Sequence, residues 1–459
     1  MSLKSYAIKG FFGTLPVLII LAVMGVDAKA DTLEPPAVWT SKEAVIFGLK
    51  NSPDSRIASQ RIASARASQA EADALLKHPR LDLSAFYGQT NNPLLSFGNI
   101  LNQGTFSNDI DFNSPGQTDN LNLKAELTYR FYNGGRDQAL VDSAESGYLA
   151  SQAGLKEVEH QLGFEIVKAF QHIVQAQDQL EARQAELEAI DSSLQVARAR
   201  FEAGDLLKTE VLNFEVQKAR TSENLIIAQH RKELAEKVFL NLLGLESGSV
   251  AIEENDEDLQ PPPDQHSSLE RPEVARLSAA LQAAESEIKR ARGNNLPTLD
   301  GFASYQYDYG WINDGSGDSW IAGVKVNYNL WDGRRDDAEI LRKQAEYRTL
   351  QEQLDKLKLA IVLDVDEAEL NYEQALKRRS VTDKMVEVAK ESAQLSRERF
   401  KEGVILSSDV LDTEVRLTDT LVRQSSARAN HRIAAANLRR ALGHQQYMTT
   451  TEELLEREQ

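Results

Sequence analysis

The chain contains no cysteine, which excludes disulfides, thiolate metal sites, a cysteine nucleophile and a lipid anchor on an N-terminal cysteine. Proline is scarce: 12 in 459 residues, with none from 116 to 260 and none after Pro297. Such tracts, rich in Ala, Glu, Gln, Leu and Arg, predict unusually long helices. Basic charge is also short, with 52 Lys and Arg against 70 Asp and Glu and a net charge of −18. That leaves no basic face for nucleic acid. The seven histidines are scattered, and H-E-x-x-H, G-x-S-x-G and P-loop patterns are all missing. An enzyme is therefore not expected, and neither is a cofactor. Carboxylates on amphipathic rods read as solvated faces. "NDGSGD" at 313–318 reads as a hairpin turn, because the rest of a calcium-loop ligand pattern is missing.

What is present begins with an export signal. Lys4 and Lys9 precede the apolar run "FFGTLPVLIILAVMGV" at 11–26, and "AKA" ends at Ala30. This predicts a signal peptide over 1–30, with an uncleaved anchor as the alternative. No later run approaches the ~20 apolar residues of a membrane-spanning helix.

The remainder is duplicated. At an offset of 199, "YRFYNGGRDQA" (129–139) lies over "YNLWDGRRDDA" (328–338), and residues 200–216 lie over 399–415 with eight identities in seventeen positions. Upstream the offset grows: Pro53 matches Pro272 at 219 and Pro79 matches Pro297 at 218. The first half thus holds about 19 extra residues before Tyr129, in a Gly/Asn/Pro/Ser-rich loop. The expected organisation is a first repeat over 31–250 (helix 41–77, strands 81–131, long helices 136–202 and 208–243). An acidic, Pro-rich linker follows over 251–267. The second repeat spans 268–445 (helix 272–293, strands 299–331, long helices 336–402 and 408–442), with a tail over 446–459.

In the second half, Leu350, Leu354, Leu357, Ile361, Val365, Ala368, Tyr372 and Ala375 form one helical stripe. Residues 336–402 lack Gly and Pro altogether, which allows about 100 Å of rod at ~1.5 Å per residue. Such a rod must lie against other rods. The strands alternate instead. Leu121, Leu123, Ala125, Leu127, Tyr129 and Phe131 share one face, opposite Asn122, Lys124, Glu126, Thr128 and Arg130. Tyr305, Tyr307, Tyr309 and Trp311 line the outgoing strand of the second hairpin. Trp320, Ala322, Val324, Val326, Tyr328 and Leu330 line the return strand, after a turn "INDGSGDS". A soluble sandwich gives the same alternation, but the export signal and the absence of a core to cover the aromatics favour an outer-membrane barrel. Four strands cannot close one, and an open edge in lipid is prohibitive. Two chains would supply eight strands and three would supply twelve. Polar inward faces suit the wider, wet lumen of three.

With its duplication, the junctions "FYNGGR" and "LWDGRR", the "LP" before the second hairpin and two "RF-x-x-G" turns, the chain resembles the TolC-like outer membrane factor family over essentially its whole mature length. The resemblance implies a mainly α fold with a membrane β-hairpin region. It further implies a homotrimeric α-helical tunnel in the periplasm, capped by a shared 12-stranded barrel in outer-membrane lipid. The implied function is the exit duct of a tripartite efflux or type I secretion system, working with a periplasmic adaptor and an inner-membrane transporter. The cargo and the partner pump stay open. A structural coiled-coil envelope spacer or trimeric adhesin is the alternative.

Gly204 and Gly403 are expected to end long helices in left-handed geometry. Each is followed by an apolar patch (Leu206 and Leu207; Val404, Ile405 and Leu406) and then by Thr209 or Ser407–Ser408 as helix N-caps. These are ordinary helical-hairpin turns by composition, and adaptor-docking tips by the family resemblance. Asp409 and Asp412 lie three apart on one helical face, where the first half has Glu210 and Asn213. Dipole compensation explains Asp409 well and Asp412 less well. The resemblance implies rings of carboxylates at a periplasmic gate.

Overall fold

The computed structural model describes residues 35–254 and 271–447. The signal peptide expected over 1–30, the linker beyond residue 254 and the tail beyond residue 447 lie outside the described residues.

Four long helices dominate. α4 (Arg136–Glu202) and α7 (Arg335–Lys401) are 67 residues each. α5 (Lys208–Leu242) and α8 (Ser407–Ala441) are 35 each. Every bound of the second pair lies 199 positions after its counterpart, so the duplication holds residue for residue through both helical hairpins. α4 packs against α5 and α8, and α7 against α8. α4 also packs against α2 (Pro53–Lys77) and α6 (Pro272–Arg292), and α6 packs against α7.

The entries into α4 and α7 are built alike. Gly134 and Gly135 have φ of 71° and 76°, and Gly333 and Arg334 have 75° and 70°. Across each left-handed pair a side chain caps the helix. Asn133 Oδ1 accepts the Asp137 N–H at 3.3 Å, and Asp332 Oδ2 accepts the Asp336 N–H at 2.7 Å.

The helix expected over 41–77 is two helices, α1 (Ser41–Asn51) and α2. Pro53 lacks an N–H and cannot continue the ladder. Ser52 is extended, caps α2 with its hydroxyl, and lets Asn51 Nδ2 donate to the Leu243 carbonyl at 2.9 Å. The main core gathers here. Trp39 stacks edge-on to Phe47 at 5.2 Å and to Phe239 at 5.7 Å, with Ile166, Phe170, Ile173 and Leu243 buried around them. A charged network ties the start of α6 nearby. Buried Arg271 donates to Asp364 at 2.7 Å and to Glu273 at 2.7 Å, and Arg440 donates to the other Asp364 oxygen at 2.8 Å.

The four strands form one antiparallel sheet in the order β1 (Arg80–Thr90), β2 (Thr118–Tyr132), β3 (Thr298–Gly310), β4 (Gly315–Asn327). Among the described residues β1 and β4 are its free edges. The register aligns rows across the sheet: Leu83, Ala125, Tyr305 and Trp320 lie side by side on one face, and Asp82, Glu126, Ser304 and Ile321 on the other. The first face is exposed and apolar, with Leu83, Trp320, Val324 and Val326 all open. β4 ends at Asn327, so Tyr328 and Leu330 fall outside the strand expected to reach 331. Asn327 pairs with Thr298, and Pro297 beyond it has no N–H to extend the ladder. β4 also starts at Gly315, which shortens the expected turn.

The extra residues of the first half are not all loop. They contain α3 (Pro93–Asn102), with Pro93 at its first position and Asn92 Oδ1 accepting the N–H groups of Leu94 and Leu95 at 3.1 and 3.3 Å.

Candidate functional site at the helical tips

Helices α4 and α7 both end in glycine with positive φ, 85° at Gly204 and 78° at Gly403. The chain reverses in the same hydrogen-bonded way at both. Gly204 N–H reaches the Phe201 carbonyl at 3.0 Å and Asp205 N–H reaches Arg200 at 2.8 Å. Gly403 N–H reaches Phe400 at 3.0 Å and Val404 N–H reaches Arg399 at 2.9 Å. This closes the carbonyls that a helix end leaves open.

The next helices start on leucine. Leu207 and Leu406 are extended cap residues, so Thr209 and Ser407–Ser408 are not the N-caps expected of them. In the second half the third helical residue reaches back instead: Asp409 Oδ2 accepts the Leu406 N–H at 3.3 Å. A leucine at the cap has no side-chain acceptor, and both cap leucines are exposed.

The two tips share one small core of Leu194, Ala197, Val211, Phe214, Phe400 and Val410. Phe214 and Phe400 lie 5.5 Å apart. Leu206 and Ile405 are half-buried against this core, whereas Leu207, Val404 and Leu406 are exposed at 70%, 68% and 61%. The expected apolar patch therefore divides into two inward residues that hold the tips together and three outward ones.

Arg200 joins the two turns. Its Nη1 donates to the Phe400 carbonyl at 3.0 Å, and its guanidinium lies over the Phe400 ring at 5.4 Å. A second contact is duplicated with the chain: Arg198 pairs with Glu215 in the first hairpin and Arg397 with Glu414 in the second. Sequence reasoning did not single out these arginines, although Arg198 and Arg397 obey the 199-residue offset and each stands 17 positions before its glutamate. Hydrogen bonds to Glu414 raise the Arg397 pKa further above its already basic range.

Asp409 and Asp412 are both exposed on the tip of α8. Asp409 is engaged with the backbone of Leu406, and Asp412 has no hydrogen-bond partner among the described residues.

The fold is shared with solved outer-membrane proteins. The crystal structure of VceC from Vibrio cholerae matches 88% of this chain and 96% of its own, at a TM-score of 0.72 and 18% identity. The open state of the MtrE outer membrane channel of Neisseria gonorrhoeae matches 88% of this chain and 89% of its own, at a TM-score of 0.72 and 17% identity. In sequence, the outer membrane protein TolC of Vibrio cholerae serotype O1 is 26% identical over 444 residues, covering 91% of this chain and 94% of that protein. The family model described as outer membrane efflux protein matches residues 48–245 and 265–444. The chain belongs to the outer membrane efflux protein family.

Proposed function

We propose that three copies of this chain share a 12-stranded barrel and line a periplasmic helical tunnel, forming the exit duct of a tripartite efflux or type I secretion system. One observation carries the reading: a four-stranded sheet with an exposed aliphatic and aromatic face, a polar face, and two unpaired edges, β1 and β4. Lipid would cover the first face, water the second, and neighbouring copies the edges. The rods ask for neighbours as well. Leu359, Leu363, Leu370 and Val388 on α7 and Ile226 on α5 are exposed by more than half, and identical rods packed side by side would bury them.

Within this reading the tips meet the periplasmic adaptor. Leu207, Val404 and Leu406 form the contact, with Leu206 and Ile405 as its support. Asp412 forms a ring of three carboxylates at the tunnel mouth that favours cations, and Asp409 adds a second ring while capping α8. Reconstitution in planar bilayers tests the duct: cation-selective conductance supports it, and a purified trimer that conducts no ions refutes it.

A further inference from the structure

The β1–β2 insert, residues 91–117, sits on the polar face of the sheet. Three glycines of that face, Gly310, Gly315 and Gly317, make the seat. A Cβ at Gly310 would stand 2.4 Å from Gln103 Oε1, one at Gly315 would stand 2.6 Å from the Gln103 carbonyl, and one at Gly317 would stand 2.2 Å from the Asn102 carbonyl. The register puts these glycines on the row of Asp308, Gln306 and Ser304, opposite the row of Tyr305 and Trp320. Their lack of side chains is thus a fitted space that the insert fills.

Gln103 is the latch. It is buried to 1% exposure, its Nε2 donates to the Asp119 carbonyl at 2.6 Å and to Asn120 Oδ1 at 3.2 Å, and its Oε1 accepts from Asn313 at 3.0 Å. The network continues into the sheet, where Asn120 and Asn122 both donate to Asp308, at 2.6 and 2.9 Å. Ser96 and Ile100 form the buried side of α3, and Gln103, its C-cap residue, continues that side three positions on. Leu94 and Leu101, seven apart, lie on the opposite side and are exposed at 79% and 50%. Phe97 packs on Phe112 at 4.7 Å and on Phe106 at 5.9 Å, which holds the rest of the insert to α3.

We infer that the insert is a constriction at the outer mouth of the duct, with Leu94 and Leu101 forming an apolar collar that limits what leaves. This rests on the shared-barrel reading, in which the polar face is the lumen. An element seated on that face at its turn end stands in the exit path, and its far side faces the axis. Apolar collars restrict flow by excluding water, so the collar sets a limit on both cargo size and hydration. The second half has a short turn at the same level, so each copy contributes one insert.

The test uses the purified full-length protein in planar bilayers. Leu94→Ser with Leu101→Ser should raise single-channel conductance about twofold or more, and should let larger polyethylene glycols into the pore. Because the chain lacks cysteine, Leu94→Cys gives an independent reading that leaves the fold in place. A bulky thiol reagent added outside should cut its conductance by about half or more, while the same reagent on Val324→Cys, on the lipid-facing row, should change nothing. If mass measurement shows Leu94→Cys fully labelled and the conductance unchanged, the insert does not lie in the path and the inference is overturned. A wild-type protein that conducts no ions at all would overturn the duct reading and this inference together.

Discussion

Arg397 clasps Glu414 through two nitrogens, its Nη2 lying 2.7 Å from Oε2, and Glu414 is 1% exposed. The duplicated pair, Arg198 and Glu215, lies open to solvent at 2.8 Å. The same contact therefore has two environments within one chain. Removing Arg397 would strand a buried carboxylate, whereas removing Arg198 would break only a surface pair. Arg397→Gln should destabilise the second tip by on the order of 2–3 kcal/mol, and Arg198→Gln the first by less than about 1 kcal/mol. Hydrogen exchange at the start of α8 and of α5 measures both, and equal effects at the two tips would contradict the asymmetry.

The tip glycines should differ as well. Gly204→Val introduces only left-handed strain of roughly 1–2 kcal/mol, because nothing lies near its Cβ. At Gly403 the same change adds a contact 3.0 Å from Arg200 Nη2 and displaces the residue that joins the tips. Export assays should show Gly403→Val as the more damaging, with Gly403→Asn milder.

Asp409 and Asp412 should separate by readout. Asp409→Ala loses the bond to the Leu406 N–H and should cost about 0.5–1 kcal/mol at the start of α8. Asp412→Ala should leave stability unchanged and reduce cation selectivity. Unchanged selectivity in the double variant would leave capping by Asp409 and dipole compensation as the whole role of the pair.

Acid should weaken the fold through His160. Burial pushes its imidazole down to about 4, with Arg271, His444 and Lys156 adding to the effect against the pull of Glu273. The unfolded chain takes up this proton near 6.5, so stability is complete above that pH and falls as pH drops toward 4, by at most about 3 kcal/mol. Burial opposes the charge of Asp364, yet Arg271 and Arg440 outweigh it and hold the carboxyl below its usual range. Its contribution is lost at still lower pH. His160→Gln should flatten the stability profile between pH 6.5 and 4 and leave the lower limb in place.

The rods were legible because residues 136–202 hold no proline and 335–401 neither proline nor glycine, and an undrifting offset of 199 fixes equal lengths. The duplication, the strand-to-helix junctions and the two RF-x-x-G turns carried the family resemblance, while repetition and alternation alone gave rods and strands. Other features depend on partners that pattern alone cannot place. Pro53 looked tolerable in a helix until Gly244 and Leu243 docked at the break. α3 was hidden because Pro93, Gly98 and the flanking asparagines read as loop, although Asn92 and Pro93 are a helix start. Gly315 and Gly317 read as part of a turn, whereas both sit in β4 beneath the insert, beside Gly310 at the end of β3. At the tips the glycines announced themselves. The split between inward Leu206 and Ile405 and outward Leu207, Val404 and Leu406 required the packed core.

The stoichiometry of the shared barrel is tested most directly by native mass measurement of the protein extracted from outer membranes in mild detergent. Four strands with two free edges predict a particle of three chains, lost on heating. A single chain, stable and folded in detergent, would contradict it.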